Sequence, residues 1–238
     1  MLPAHIPMTS KTFVGGTLAL LACQGHEIWF AVATRGDIGS PTGTRDAIAV
    51  TRHAEAQAAC DVVGAKLIWL GFNDEFLFNT LETRMSVIDA IREARLDVMF
   101  ILSEADYHPD HRTIGTIARD ARIPASVPLI VSRFPFTRIP TTSICDIFSD
   151  DGAAFTPDFF VDVTDVQVEK QKMLAAHVSQ VAWMEAVYKS DKDNDAVRRD
   201  RRRGAEAGVQ FAEAFQTLKD YPVTTDLSLL PNVIMPNE

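Results

Sequence analysis

The sequence predicts the α/β class with a mainly parallel sheet, and two observations carry that expectation. Short runs rich in β-branched and aromatic residues alternate with stretches of helical periodicity through the first two-thirds of the chain. Glycines close the helical stretches, where a left-handed backbone is cheapest for a residue without a Cβ. Such alternation implies right-handed βαβ crossovers with helices on both faces of the sheet, a Rossmann-like three-layer sandwich.

Taken in order, Gly15-Gly16-Thr17 opens a helix through Leu18, Leu20 and Leu21 that ends at Gly25. Ile28 to Thr34 reads as a buried strand, Arg45 to Val63 as a helix ending on Gly64, and Lys66 to Leu70 as a strand. Glu82 to Arg95 is helical, Asp97 to Ser103 a strand, His111 to Arg122 a helix and Pro128 to Ser132 a strand. Beyond Pro135 the rhythm loosens. Arg138 to Asp158 reads as antiparallel strands or a loop bordering the cleft, and Phe159 to Val163 as a last strand. Helices follow over about Asp165 to Ala186 and Asp195 to Leu218, and the proline-bearing tail from Pro222 wraps the surface. Only Leu2 to Pro7 remains for a first strand, which is short for the centre of such a sheet. One domain over 1–238 is expected, with 1–134 as its doubly wound core and 135–238 bordering the pocket.

Composition excludes several function classes. The chain is 238 residues long with a net charge of −9, which disfavours nucleic acid and anionic membrane, since both select for a basic face. The run Arg198-Arg199-Asp200-Arg201-Arg202-Arg203 follows the acidic Asp191-Lys192-Asp193-Asn194-Asp195 and reads as a solvated, internally paired helix face. Cys23, Cys60 and Cys145 show no paired spacing, and Cys23 and Cys60 lie in apolar helical patterns as small buried hydrophobes. That usage, with no secretory leader pattern and no membrane-spanning apolar run, points to the cytoplasm.

The chemistry-bearing stretch is Tyr107-His108-Pro109-Asp110-His111, just beyond the strand that ends near Leu102. Ligands of open α/β sheets bind outside the carboxyl ends of the strands, and His and Asp both ligate metals and move protons near neutral pH. The surrounding succession resembles the PIG-L or LmbE-like N-deacetylases, metal-dependent enzymes acting on N-acetylglucosamine-type substrates. The likeness runs in order from about residue 4 to 218. It rests on Gly15-Gly16-Thr17-Leu18, on Gly25-His26-Glu27 with the strand to Thr34-Arg35-Gly36-Asp37, on Arg52 with Glu55, and on Leu70-Gly71-Phe72-Asn73-Asp74. It continues through His108-Pro109-Asp110-His111, Val161-Asp162-Val163-Thr164-Asp165, Lys170 and His177-Val178-Ser179-Gln180 to the closing helix around Phe211-Ala212-Glu213-Ala214-Phe215.

The resemblance implies a site. His111 would bind zinc, with His5 as a second ligand. His108 would act as acid or oxyanion donor, and Asp110 would orient a histidine. Arg52, Asp74 and His177 would contact the substrate, an N-acetylated amino sugar or conjugate, and a homo-oligomer is allowed. One departure is specific. The family's first motif, Ala-His-Pro-Asp-Asp-Glu, supplies a metal-binding His and Asp with the general base between them. Aligned without a gap from Gly15, Ile6 stands at the histidine and Met8 and Thr9 at the two aspartates. A one-residue slip brings His5 onto the histidine, but no Asp or Glu precedes Glu27. Asp37, Glu104 and Asp106, near strand ends, are candidate replacements. The expected function is therefore a divergent metal-dependent N-deacetylase or amidase. The alternatives are a weakened relative that binds a small molecule, or a metal-independent acid–base enzyme using His108 and Asp110.

Overall fold

The structure, a computed structural model, describes residues 4–7, 11–148, 155–188, 192–224 and 226–236, with backbone alone at 4–7, 188 and 192–194. The fold is the expected α/β sandwich. Strand β1 (Ala4–Pro7), helix α1 (Lys11–Cys23), β2 (Glu27–Thr34), α2 (Arg45–Asp61), β3 (Lys66–Phe72), α3 (Leu81–Ala94), β4 (Val98–Ile101), α4 (Pro109–Ala125) and β5 (Thr141–Cys145) alternate along the chain. After them come β6 (Phe159–Asp162), α5 (Gln167–Ala175), α6 (Val178–Tyr188), α7 (Lys192–Ala207), β7 (Ala212–Thr217) and β8 (Val233–Ile234).

One eight-stranded sheet has the order β3-β2-β1-β4-β5-β7-β6-β8. Strands β1 to β5 pair parallel, and β7, β6 and β8 extend the sheet antiparallel. The order reverses between β1 and β4, the position at which the loops leaving the carboxyl ends of such strands border a crevice. Val98 to Ile101 of β4 are buried, as expected for a strand covered on both faces. The main core spans the sheet and packs Phe13, Leu18 and Leu21 of α1 with Phe100, Phe159 and Phe215.

Several expected elements differ. The glycine pair lies inside α1 rather than opening it, and it serves close packing: a Cβ on Gly16 would stand 2.7 Å from Val163. Helix α4 starts earlier, with His108 as its N-cap. Pro128 to Ser132 is a turn with no strand in it, because the Arg92 guanidinium gathers the carbonyls of Pro124, Ala125, Val127, Ile130 and Phe134. Part of the loose region becomes β5, which is parallel to β4, while 149–154 lie outside the described residues. The helix expected to reach Ala186 breaks at His177, because the Glu55 carboxylate accepts both the backbone N–H of Ser179 (2.6 Å) and its hydroxyl (2.8 Å). That capture starts α6 anew.

The helix expected over Asp195 to Leu218, including the closing helix of the resemblance, ends at Gly208 (φ 77°) and returns as β7. There Phe211 and Phe215 join the main core, while Ala212 and Ala214 pack in a second cluster with Phe160, a period of two. Phe159 to Asp162 is thus not the last strand. Cys23 is exposed, unlike Cys60 and Cys145. The arginine run is only partly solvated. Arg203 is buried and grips Asp146 through two bonds of 2.8 and 2.9 Å, and Arg199 and Asp200 are buried too.

Candidate active site

The loop leaving β4 turns on Asp106, whose side chain is fully buried. Its Oδ1 accepts the His108 backbone N–H at 2.9 Å and lies 3.0 Å from His111 Nδ1. A carboxylate only accepts, so Nδ1 of His111 carries the proton and its Nε2 presents a lone pair. Asp106 Oδ2 has no hydrogen-bond partner. His108 is set the opposite way. As the α4 N-cap, its Nδ1 accepts the Asp110 N–H at 3.2 Å, leaving Nε2 to donate to Glu75 at 2.9 Å. The two rings stack with centroids 4.6 Å apart, and Tyr107 stands edge-on to both. One imidazole offers a lone pair and the other a proton.

The Asp110 carboxylate does not bond either ring. Its two oxygens accept the N–H groups of Glu75 (2.7 Å) and Leu77 (3.2 Å), fastening the β3–α3 loop to α4. Glu75 holds a left-handed backbone (φ 65°), and this bond fixes it with its side chain toward His108. Nothing in the sequence around Glu75 signalled that role. Asp74 accepts from Thr34 Oγ1 at 2.9 Å, and burial pushes its carboxyl above its ordinary value against that bond. Its charge acts on Arg52 on one side and is felt with those of Asp110, His108 and Glu75 on the other.

Arg52 is buried and lines a cleft of about 240 Å³ with Gly39, Thr51 and Ser179. Its Nη2 donates to Gly39 O at 2.8 Å, while Nε and Nη1 make no hydrogen bond. Asp37 braces the neighbouring loops, bonding Arg35 (2.9 Å), Arg45 (2.8 Å) and the Asp74 N–H (3.2 Å). Burial alone would raise its carboxyl, but Arg45 and the Asp74 amide hold it below the ordinary value. Glu104 is tied to Arg119 at 2.9 Å. Of the three candidate replacement carboxylates, only Asp106 reaches a site histidine whose side chain is described.

His177 Nε2 lies 3.0 Å from Nζ of Lys11, a buried lysine whose amine burial lowers to about 8. The side chain of His5 lies outside the described residues, and its backbone in β1 is level with Val98, where β4 begins. Zinc catalysis takes about three protein ligands. His111, buttressed by Asp106, has the form of one. No group of three or more His, Cys, Asp or Glu among the described residues could hold a metal ion, and the segment before α1 contains no carboxylate. The residues present do not fit the zinc that the resemblance implies.

Comparison with known proteins shows what the chain is similar to. Residues 10–122 match PIG-L, described as GlcNAc-PI de-N-acetylase. A diacetylchitobiose deacetylase of Thermococcus kodakarensis is 28% identical over 177 residues, covering 70% of this chain and 64%, just under two thirds, of that protein. A probable N-acetyl-alpha-D-glucosaminyl L-malate deacetylase 2 of Bacillus cereus is 29% identical over 198 residues, 76% of this chain and 84% of the relative. The crystal structure of a conserved protein from Thermus thermophilus superposes with a TM-score of 0.77 at 25% identity, covering 91% of this chain and 94% of that one. No helix among the described residues is long and apolar enough to cross a membrane. Residues 10–122 thus match the PIG-L family, and the chain is similar in sequence and fold to LmbE-like deacetylases.

Proposed function

We propose that the crevice takes an N-acetylated amino sugar or a conjugate of one, and that the chemistry it serves is hydrolysis of the amide. The observation that carries this reading is the stacked imidazole pair at the exit of β4, each ring with its own carboxylate and opposite proton placement. His111 Nε2 accepts the proton of the attacking water, and Asp106 balances the charge that forms on the ring. His108 Nε2–H donates a hydrogen bond to the oxyanion, and the proton taken up by His111 then passes to the departing amine. Arg52, which lines the cleft, would meet sugar hydroxyls there, and Asp74 would accept from them. His177, paired with Lys11, would contact the substrate from the turn between α5 and α6.

In the metal-dependent form of the reaction, zinc would bind and acidify the water. The donor set does not fit it, so the chain as it stands keeps acid–base groups without their Lewis acid. General acid–base catalysis contributes about 10²–10⁴-fold, so hydrolysis is expected to be slow. The lack of any carboxylate before Glu27 supports a second reading, in which the pocket is kept as a small-molecule binding module. A His108–Asp110 acid–base pair has less support, because both Asp110 oxygens are engaged by backbone N–H groups.

The test is acetate release from N,N′-diacetylchitobiose by the purified chain and by His111→Ala, with calorimetric binding measured on both. Slow release that disappears in His111→Ala, with binding retained, supports the hydrolase. Binding without release supports the second reading, and absence of binding contradicts both.

A further inference from the structure

The misfit between crevice and metal is confined to the residues before α1. An inference about it deepens the hydrolase reading, on which its chemical consequence rests. Ungapped spacing from Gly15 sets Ala-His-Pro-Asp-Asp-Glu against His5-Ile6-Pro7-Met8-Thr9-Ser10, where only Pro7 agrees. The register of β1 is consistent with that spacing. Pro7 is level with Phe100 and Ile6 with Met99, so position 6 lies nearer the carboxyl end of the sheet than His5 does.

The genetic code connects the two strings. Read the third base of each codon together with the first two bases of the next. His5 supplies CA, Ile6 AT, Pro7 CC, Met8 AT, Thr9 AC, and Ser10 AG from its AGC or AGT codons. Preceded in turn by G, C, C, G, G and G, these read GCA, CAT, CCC, GAT, GAC and GAG. The translation is Ala, His, Pro, Asp, Asp, Glu, falling on the positions that the spacing from Gly15 requires. The G before AC is compulsory, because Met8 has a single codon. The other preceding bases are third positions that leave Ala4, His5, Ile6, Pro7 and Thr9 unchanged. Dropping the third base of codon 10 carries this frame into Lys11. The family match begins at residue 10, where the two frames meet.

We infer that the coding stretch for residues 4–10 holds the missing acidic half of the metal site in an overlapping frame, and that one base at codon 10 separates the two readings. The inference explains together why the mismatch is abrupt, why it spares Pro7, and why the rest of the crevice keeps a ligand-like His111 buttressed by Asp106.

Sequencing the coding DNA across codons 4–11 is the direct test. The expected codons are GCG, CAC, ATC, CCG, ATG and ACG, followed by AGC or AGT. Any other third base at codons 4, 5, 6, 7 or 9, or a TCN codon for Ser10, overturns the inference. Metal analysis of two purified full-length proteins reads the chemical consequence: the chain as it stands, and the variant H5A, I6H, M8D, T9D, S10E, both equilibrated with zinc. About one zinc per chain is expected in the variant and none in the unaltered protein. A variant that keeps the helical circular dichroism of the unaltered chain yet holds no zinc overturns the link between this frame and the metal. A variant that binds zinc but releases no acetate from diacetylchitobiose leaves this inference standing and defeats the substrate proposed above.

Discussion

The buried cluster beneath α1 and the residues at the strand ends both hold buried charge, but they pair it differently. Beneath α1, Glu213 accepts the N–H groups of Gly16 and Thr17 (both 2.8 Å), the Thr17 hydroxyl (2.6 Å) and the Lys170 ammonium (2.6 Å). Lys170 also meets Asp200 at 2.7 Å, and all three charged side chains are buried. In the loop after β4, Asp106 Oδ2 lacks a hydrogen-bond partner, and so do the Nε and Nη1 of Arg52 beside its cleft. Buried polar groups left unpaired are destabilising; Gln167 Oε1 and Arg199 Nη1 beside Asp200 are unpaired too, so the contrast is between the closely paired, family-like Lys170 and Glu213, which hold the fold, and Asp106 with Arg52.

The largest effect expected from this contrast is on stability. Lys170→Ala leaves Glu213 and Asp200 buried without their cation and should lower unfolding free energy by about 3–5 kcal/mol in urea titrations. A loss below about 1 kcal/mol would dissolve the distinction between the two clusters. Asp110→Ala comes next. It frees the Glu75 and Leu77 N–H groups and should cost about 1–3 kcal/mol, with Glu75 released from His108 and acetate production falling together. A variant that loses stability but keeps full activity would remove Asp110 from the site's support.

Arg52→Ala should behave oppositely to Lys170→Ala. Its stability change should stay within about 1 kcal/mol, while affinity for an N-acetylated sugar drops about tenfold, the equivalent of roughly 1.4 kcal/mol. The smallest effect is a pH dependence. Lys11 is held at about 8 against 10.5 for a free lysine. Over that window the unfolded chain binds the proton that the folded chain lacks, so this group's contribution to stability rises with pH between about 8 and 10.5. Lys11→Met should remove that rise, seen as a flatter difference in melting temperature against pH. An unchanged difference curve would mean that the amine is solvated.

Much of this was legible in the sequence, for identifiable reasons. The strands and helices through α4 follow from periodicity and from glycine stops at Gly25 and Gly64, which do adopt positive φ. The placement of His108 and His111 followed from their position after an apolar strand. The later elements were harder because tertiary contacts decide them. Glu55, far away in sequence, breaks the long helix at Ser179, and β7 follows Gly208 in a stretch whose alanines suit a helix equally well. Glu75 was invisible because its role depends on a backbone conformation that Asp110 imposes. The buried half of the arginine run was missed because Asp146, its partner, lies 57 residues away in the chain.

The most direct test of the crevice as the ligand site is a calorimetric titration of N,N′-diacetylchitobiose into the unaltered chain and into Arg52→Ala, with Lys219→Ala as a surface control. The account predicts saturable binding to the unaltered and control proteins and a loss of about tenfold or more in Arg52→Ala. Equal affinity for all three proteins, or none for any, would contradict it.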